Sequence, residues 1–125
     1  MKLFSVEEAN MLLPTVRGFV AAIQRAHRHM TARQEAARLA AEGAQLGGGA
    51  MQGGEKYVAA LMSLAENVGQ LEALGVQMKD YTRGLIDFPS MRDGQVVLLC
   101  WQMGEGDTLA WWHEIEAGFA GRQPL

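Results

Sequence analysis

The chain has 125 residues and a mass of 13.6 kDa, which is one domain's worth of polypeptide and enough to bury about two-thirds of its unfolded surface without disulfides or a structural metal. With 49% hydrophobic and 20% charged residues, disorder, a collagen-like repeat and a disulfide scaffold are all excluded. The formal net charge is -3, from six Lys/Arg against four Asp/Glu in residues 1–45 and five against ten in the remainder, an excess too thin for a phosphate-binding surface. Arg25, Arg28 and Arg33 therefore read as a solvated helix face, and no nucleic-acid partner is expected.

The lone Cys100 beside eight methionines suits a reducing compartment, so the cytoplasm is the expected location. Glu7 and Glu8 occupy the place of a signal peptide's apolar region, and no uncharged run approaches the roughly 18 residues of a membrane span. Neither a targeting segment nor a membrane partner is expected.

Ser5-Val6-Glu7-Glu8 is a capping box, in which Ser at the N-cap and Glu three residues on satisfy each other's orphan amides, so a helix is predicted from about Val6. Pro14 lacks an amide and restrains Leu13, which predicts a kink or short break there. From Val16 the residues Val20, Ile23, His27, Met30, Gln34, Ala37 and Ala41 step by four and three, a heptad-type seam that His27 and Gln34 interrupt with polar groups. Glycines 43, 47, 48, 49, 53 and 54 predict a flexible loop over residues 43–54. Tyr57, Leu61, Leu64, Val68 and Leu71 then repeat the seam, and Gly75 is placed as the stop. Residues 1–75 thus read as a long antiparallel helical hairpin that must protrude or find a partner.

After Gly75 the period changes. Val76, Met78 and Leu85-Ile86-Asp87-Phe88 look extended, with Pro89 expected to stop the run. Arg92-Asp93-Gly94 predicts a hairpin turn into Gln95–Trp101, and Gly104–Asp107 a second turn into a third strand over Thr108–His113. The middle run places Val96, Leu98 and Cys100 on one face and Val97, Leu99 and Trp101 on the other, so both faces need cover. The helices can supply one side, and the C-terminal tail, a bent first helix or a second subunit the other. The fold class is α+β, a single domain over 1–125, with the helical hairpin packed on a small three-stranded antiparallel sheet formed by residues 76–125 and followed by the C-terminal tail.

Chemistry concentrates at His113-Glu114-Ile115-Glu116 with Arg122 behind it and Asp87 on a neighbouring strand. An imidazole and carboxylates suit a divalent ion, with His113 and Glu116 the candidate metal ligands should the chain turn helical at His113. The structural alternative pairs Arg122 with Asp87 or Glu116 and leaves His113 as a satisfied residue beside Trp111. Asp87 lies between Ile86 and Phe88, where a carboxylate needs a partner, Arg83, Arg92 or Arg122. Trp101, Trp111 and Trp112 read as core or interface, His27 as a register-fixing polar group, and Cys100 as an inert buried thiol with no base beside it in sequence. No Ser-His-Asp signature, zinc-finger spacing or Walker motif is present.

Several stretches look familiar together: Leu3–Asn10 with Leu12-Leu13-Pro14, Gly75-Val76, Lys79-Asp80, Gly84–Pro89, Leu99-Cys100-Trp101 and above all Trp112–Leu125. In these the chain resembles the bacterial domain of unknown function 2203 family over nearly its whole length. The resemblance brings no assigned activity and implies only that Asp87, His113, Glu114, Glu116 and Arg122 lie inside the family's characteristic motifs. The expected function is a non-enzymatic interaction or scaffold module acting as a homodimer. The alternative is a small-ligand or divalent-metal-binding protein, with hydrolysis open to it, built on Asp87, His113, Glu114, Glu116 and Arg122.

Overall fold

The computed structural model describes residues 1–45 and 54–125. Two helices, α1 (Val6–Gln45) and α2 (Gly54–Leu74), precede a five-stranded antiparallel sheet in the order β1-β2-β3-β4-β5: β1 (Gln77–Asp80), β2 (Leu85–Arg92), β3 (Gln95–Gln102), β4 (Trp111–Glu114) and β5 (Gln123–Pro124). The α+β class stands, while the expected three strands become five, because the segment around Met78 and the last residues of the chain each add a short edge strand. The glycine loop expected at residues 43–54 falls largely outside the described residues; within them, Gly43 still belongs to α1 and Gly54 opens α2. No helix among the described residues is long and apolar enough to cross a membrane.

The capping box forms as read: the Glu8 amide donates to Ser5 Oγ and the Ser5 amide to Glu8 Oε1, both at 3.0 Å. These bonds, the backbone one first, hold the Glu8 carboxyl below its ordinary range. The expected break at Pro14 does not occur, and α1 continues through it for 40 residues, about 60 Å at 1.5 Å per residue. Pro14 is exposed, so the Asn10 carbonyl that it leaves unbonded sits on the watered side of the helix, where the lost bond costs least.

The seam is buried at Val16, Val20 and Ile23 but has reached solvent by Gln34. On α2 the buried line is Ala60, Leu64 and Leu71; Leu61, expected in the seam, is 44% exposed. The helix closes in a Schellman arrangement, with the Val76 amide on the Leu71 carbonyl at 3.0 Å and the Gly75 amide on that of Glu72 at 2.9 Å, Gly75 taking φ 90°.

Asp93 (φ 51°) and Gly94 (φ 79°) make the two-residue turn that pairs Arg92 with Gln95 and locks the β2–β3 register. Pro89 does not end β2, contrary to expectation. Its carbonyl accepts the Phe4 amide at 2.7 Å, and a residue's carbonyl and nitrogen point to the same side of a strand. The missing donor therefore faces the segment before α1 rather than β3, so no β2–β3 bond is lost.

One sheet face, carrying Ile86, Phe88, Leu99, Trp101 and Trp112, packs with Val16, Val20 and Ile23 of α1 and Leu64 and Leu71 of α2 into a single core. The other face carries Leu85, Asp87, Leu98, Cys100 and His113, all buried. Its cover includes the chain's own tail: Phe119 sits in a 3-10 turn over Phe119–Gly121, with Arg83 and Arg122 stacked on its ring at 3.9 and 4.6 Å. The sheet thus finds cover on both sides within one chain.

Candidate functional site

The site follows from strand register. Asp87 on β2 stands opposite Cys100 on β3, while His113 on β4 stands opposite Leu98. Alternation along a strand sends all four side chains to the face away from the helices, so Asp87 and His113 reach toward each other across β3. His113 Nε2 lies 3.1 Å from Asp87 Oδ1, with exposures of 3% and 2% for the two residues. Cys100, 1% exposed, completes a trio in which one ligand-type atom from each residue falls within 4.8 Å of the other two.

The ring orientation is fixed by its second nitrogen. His113 Nδ1 is 2.7 Å from the Glu114 carbonyl, which can only accept, so Nδ1 carries a hydrogen and donates it. In the singly protonated ring that leaves Nε2 as a lone pair facing a carboxylate oxygen. Two acceptors in contact need something positive between them, either a proton or a metal ion. The thiol stands in a different condition. Burial first, then the Asp87 carboxylate, push Cys100 up to about 12 from an ordinary 9.0, with Arg122 acting weakly the other way. A thiol held protonated is a poor nucleophile at neutral pH.

Of the residues expected from sequence, Asp87 and His113 meet. Glu114 and Glu116 are both exposed and belong to no group that could hold an ion among the described residues. Arg122 binds neither Asp87 nor Glu116. Its Nη2 donates to Glu105 Oε2 at 2.6 Å and its guanidinium also stacks on Trp111, so it ties the tail to the β3–β4 turn. Asp87 takes a histidine where an arginine was expected. Cys100 was missed as a member of the cluster although its burial was expected. The signal was available: with Arg92 paired to Gln95, counting back five residues on one strand and on five along the other pairs Asp87 with Cys100.

A cleft of about 180 Å³ opens over two of the three, Asp87 and His113, with Leu85, Leu98 and Phe119 among its apolar walls and Lys79 as its cation. Larger hollows of about 400 and 370 Å³ lie beside the first residues of the chain. The first is lined by Lys2, Glu72, Gln77 and Lys79 and the second by Lys2 and Glu8, and among the described residues neither contains a group of three ligand-type side chains like Asp87, Cys100 and His113.

The family model described as uncharacterized conserved protein (DUF2203) matches residues 2–125. The chain belongs to the DUF2203 family. No curated protein and no solved structure matches it. The match spans every residue of the site in this DUF2203 chain, from Lys79 to Arg122.

Proposed function

We propose that this chain is a metal-binding protein that holds one borderline divalent ion, zinc being the representative, through Asp87 Oδ1, Cys100 Sγ and His113 Nε2. The observation that carries the reading is the His113 ring, pinned at Nδ1 by a backbone carbonyl so that Nε2 faces the Asp87 carboxylate at 3.1 Å. A carbonyl holding the far nitrogen is the usual outer-shell support of a ligating histidine. One oxygen, one sulfur and one nitrogen suit zinc and its neighbours better than magnesium or calcium. Three protein ligands leave a fourth position free, and the cleft is lined by two of the three, Asp87 and His113. An ion held there supplies Lewis acidity to a small molecule entering the cleft, with hydrolysis among the reactions this serves. Glu114, Glu116 and Arg122 take no ligand position in this reading.

The test is elemental analysis of protein purified without chelator, followed by zinc titration in a calorimeter. One equivalent of zinc is expected, with Asp87→Asn, Cys100→Ser and His113→Gln each weakening binding at least tenfold. Failure of the folded protein to take up zinc, or uptake indifferent to all three substitutions, overturns the reading.

A second reading, self-association into a homodimer, draws on Leu39, Val58, Leu61 and Met62, which are 53, 51, 44 and 66% exposed on the two helices. Light scattering checks it: a dimer that Leu61→Glu with Met62→Glu converts to monomer supports it, and a monomer at high micromolar concentration removes it.

A further inference from the structure

We propose that the cleft above the metal receives a small carboxylate with an apolar body, its anionic group drawn by Lys79 and Arg83. The inference rests on the metal-binding reading and deepens it. Among the described residues neither Lys79 nor Arg83 is in an ion pair. Lys79 lines the cleft directly, and Arg83 is spread over the ring of Phe119, itself a wall residue, at 3.9 Å. Nearby, Arg122 and Glu105 neutralise each other at 2.6 Å, and the Asp80 carboxylate is engaged by the Thr82 and Arg83 amides at 2.9 and 3.0 Å. Two cations outside any side-chain ion pair therefore stand at this corner, above a floor lined by Asp87 and His113.

The walls between rim and floor are Leu85, Leu98, Ile115 and Phe119. They offer nothing to the remaining oxygens of a phosphate or sulfate, whereas a carboxylate can give its oxygens to the ion and the cations while its carbon body meets the apolar sides. A volume near 180 Å³ corresponds to about six water molecules at liquid density, which limits the guest to a short branched chain or a single ring. Arg83 also couples guest and tail, since the same guanidinium that attracts the anion holds Phe119 over the site.

The experiment is two successive titrations on the full chain, first with zinc and then, on the zinc-loaded protein, with benzoate, isobutyrate and inorganic phosphate. Benzoate or isobutyrate is expected to bind more tightly than phosphate. Lys79→Met with Arg83→Met is expected to weaken the carboxylate about fivefold, the scale of an exposed charge contact, while leaving zinc affinity unchanged. Zinc binding without carboxylate binding overturns this inference alone, as does phosphate binding better than both carboxylates. Carboxylate affinity that is the same with and without zinc, or indifferent to the double substitution, overturns it too. Absence of zinc binding removes the underlying reading instead.

Discussion

Replacing Asp87 separates shape from charge at the buried contact with His113. In Asp87→Ala the ring keeps its Nδ1 bond to the Glu114 carbonyl but Nε2 loses its partner at a site 3% exposed. Leaving a buried neutral ring nitrogen without a partner costs about 1–3 kcal/mol. For a chain of 125 residues the unfolding entropy makes 1 kcal/mol worth about 4 °C, so the melting temperature of the metal-free protein should fall by roughly 4–12 °C. Asp87→Asn behaves differently, because its amide nitrogen occupies nearly the same place and can donate to the Nε2 lone pair, giving a neutral bond that costs about 1 kcal/mol or less relative to wild type. The metal-free Asn variant should melt within about 4 °C of wild type and still bind zinc at least tenfold more weakly. Thermal unfolding by circular dichroism, with and without zinc, reads both effects. An alanine variant as stable as wild type would falsify the claim that the pair is buried, and an asparagine variant as damaged as alanine would refute the assignment of the hydrogen to Nδ1.

Cys100 in the metal-free protein should resist iodoacetamide at pH 8 until the chain unfolds, and its raised thiol pKa sets the sign of an alkaline effect. The folded form keeps its proton up to about 12 and the unfolded form loses it from near 9.0, so stability should decline as pH rises between those values. Melts at pH 8, 9 and 10 should show that decline shrinking in Cys100→Ser; an equal decline in both refutes it. Gly84→Ala should cost at least about 2 kcal/mol, since φ 64° is a left-handed conformation and a methyl there would stand 2.9 Å from Val20 Cγ1. Gly94→Ala, at φ 79° with open space around it, isolates the backbone part, so chemical denaturation should find it the milder of the two.

Local chemistry made much of this fold legible. Ser5 with Glu8, Gly75 after Leu74, and Asp93-Gly94 each satisfy a backbone requirement within a few residues, and each does in the structure what the sequence predicts. Pro14 and Pro89 misled for the same reason: both were judged by what proline removes, whereas its cost depends on where the lost bond would lie, on the exposed side of α1 in one case and toward the Phe4 segment rather than β3 in the other. Of the two edge strands, the segment at Met78 read as extended without being counted in the sheet, and Gln123–Pro124 escaped because two residues carry no period. The site was half visible. Asp87 and His113 stood out as polar groups in apolar runs, whereas Cys100 looked inert because its neighbours in space come from two other strands. Glu116 drew attention by adjacency in sequence, yet the chain leaves β4 at Glu114 in an exposed turn rather than the helix that would have set Glu116 beside His113.

The proline in β2 bears on how copies of this protein could meet. An open sheet margin normally invites a foreign strand to zip onto it, which is the first step toward fibrils and strand-swapped oligomers. Here the margin above β1 is taken by the leading segment at Phe4, and the position beneath has no hydrogen to give. An invading strand would have to displace that segment and would still find a gap in its ladder. Pro89 thus acts as a gatekeeper on that stretch of the sheet.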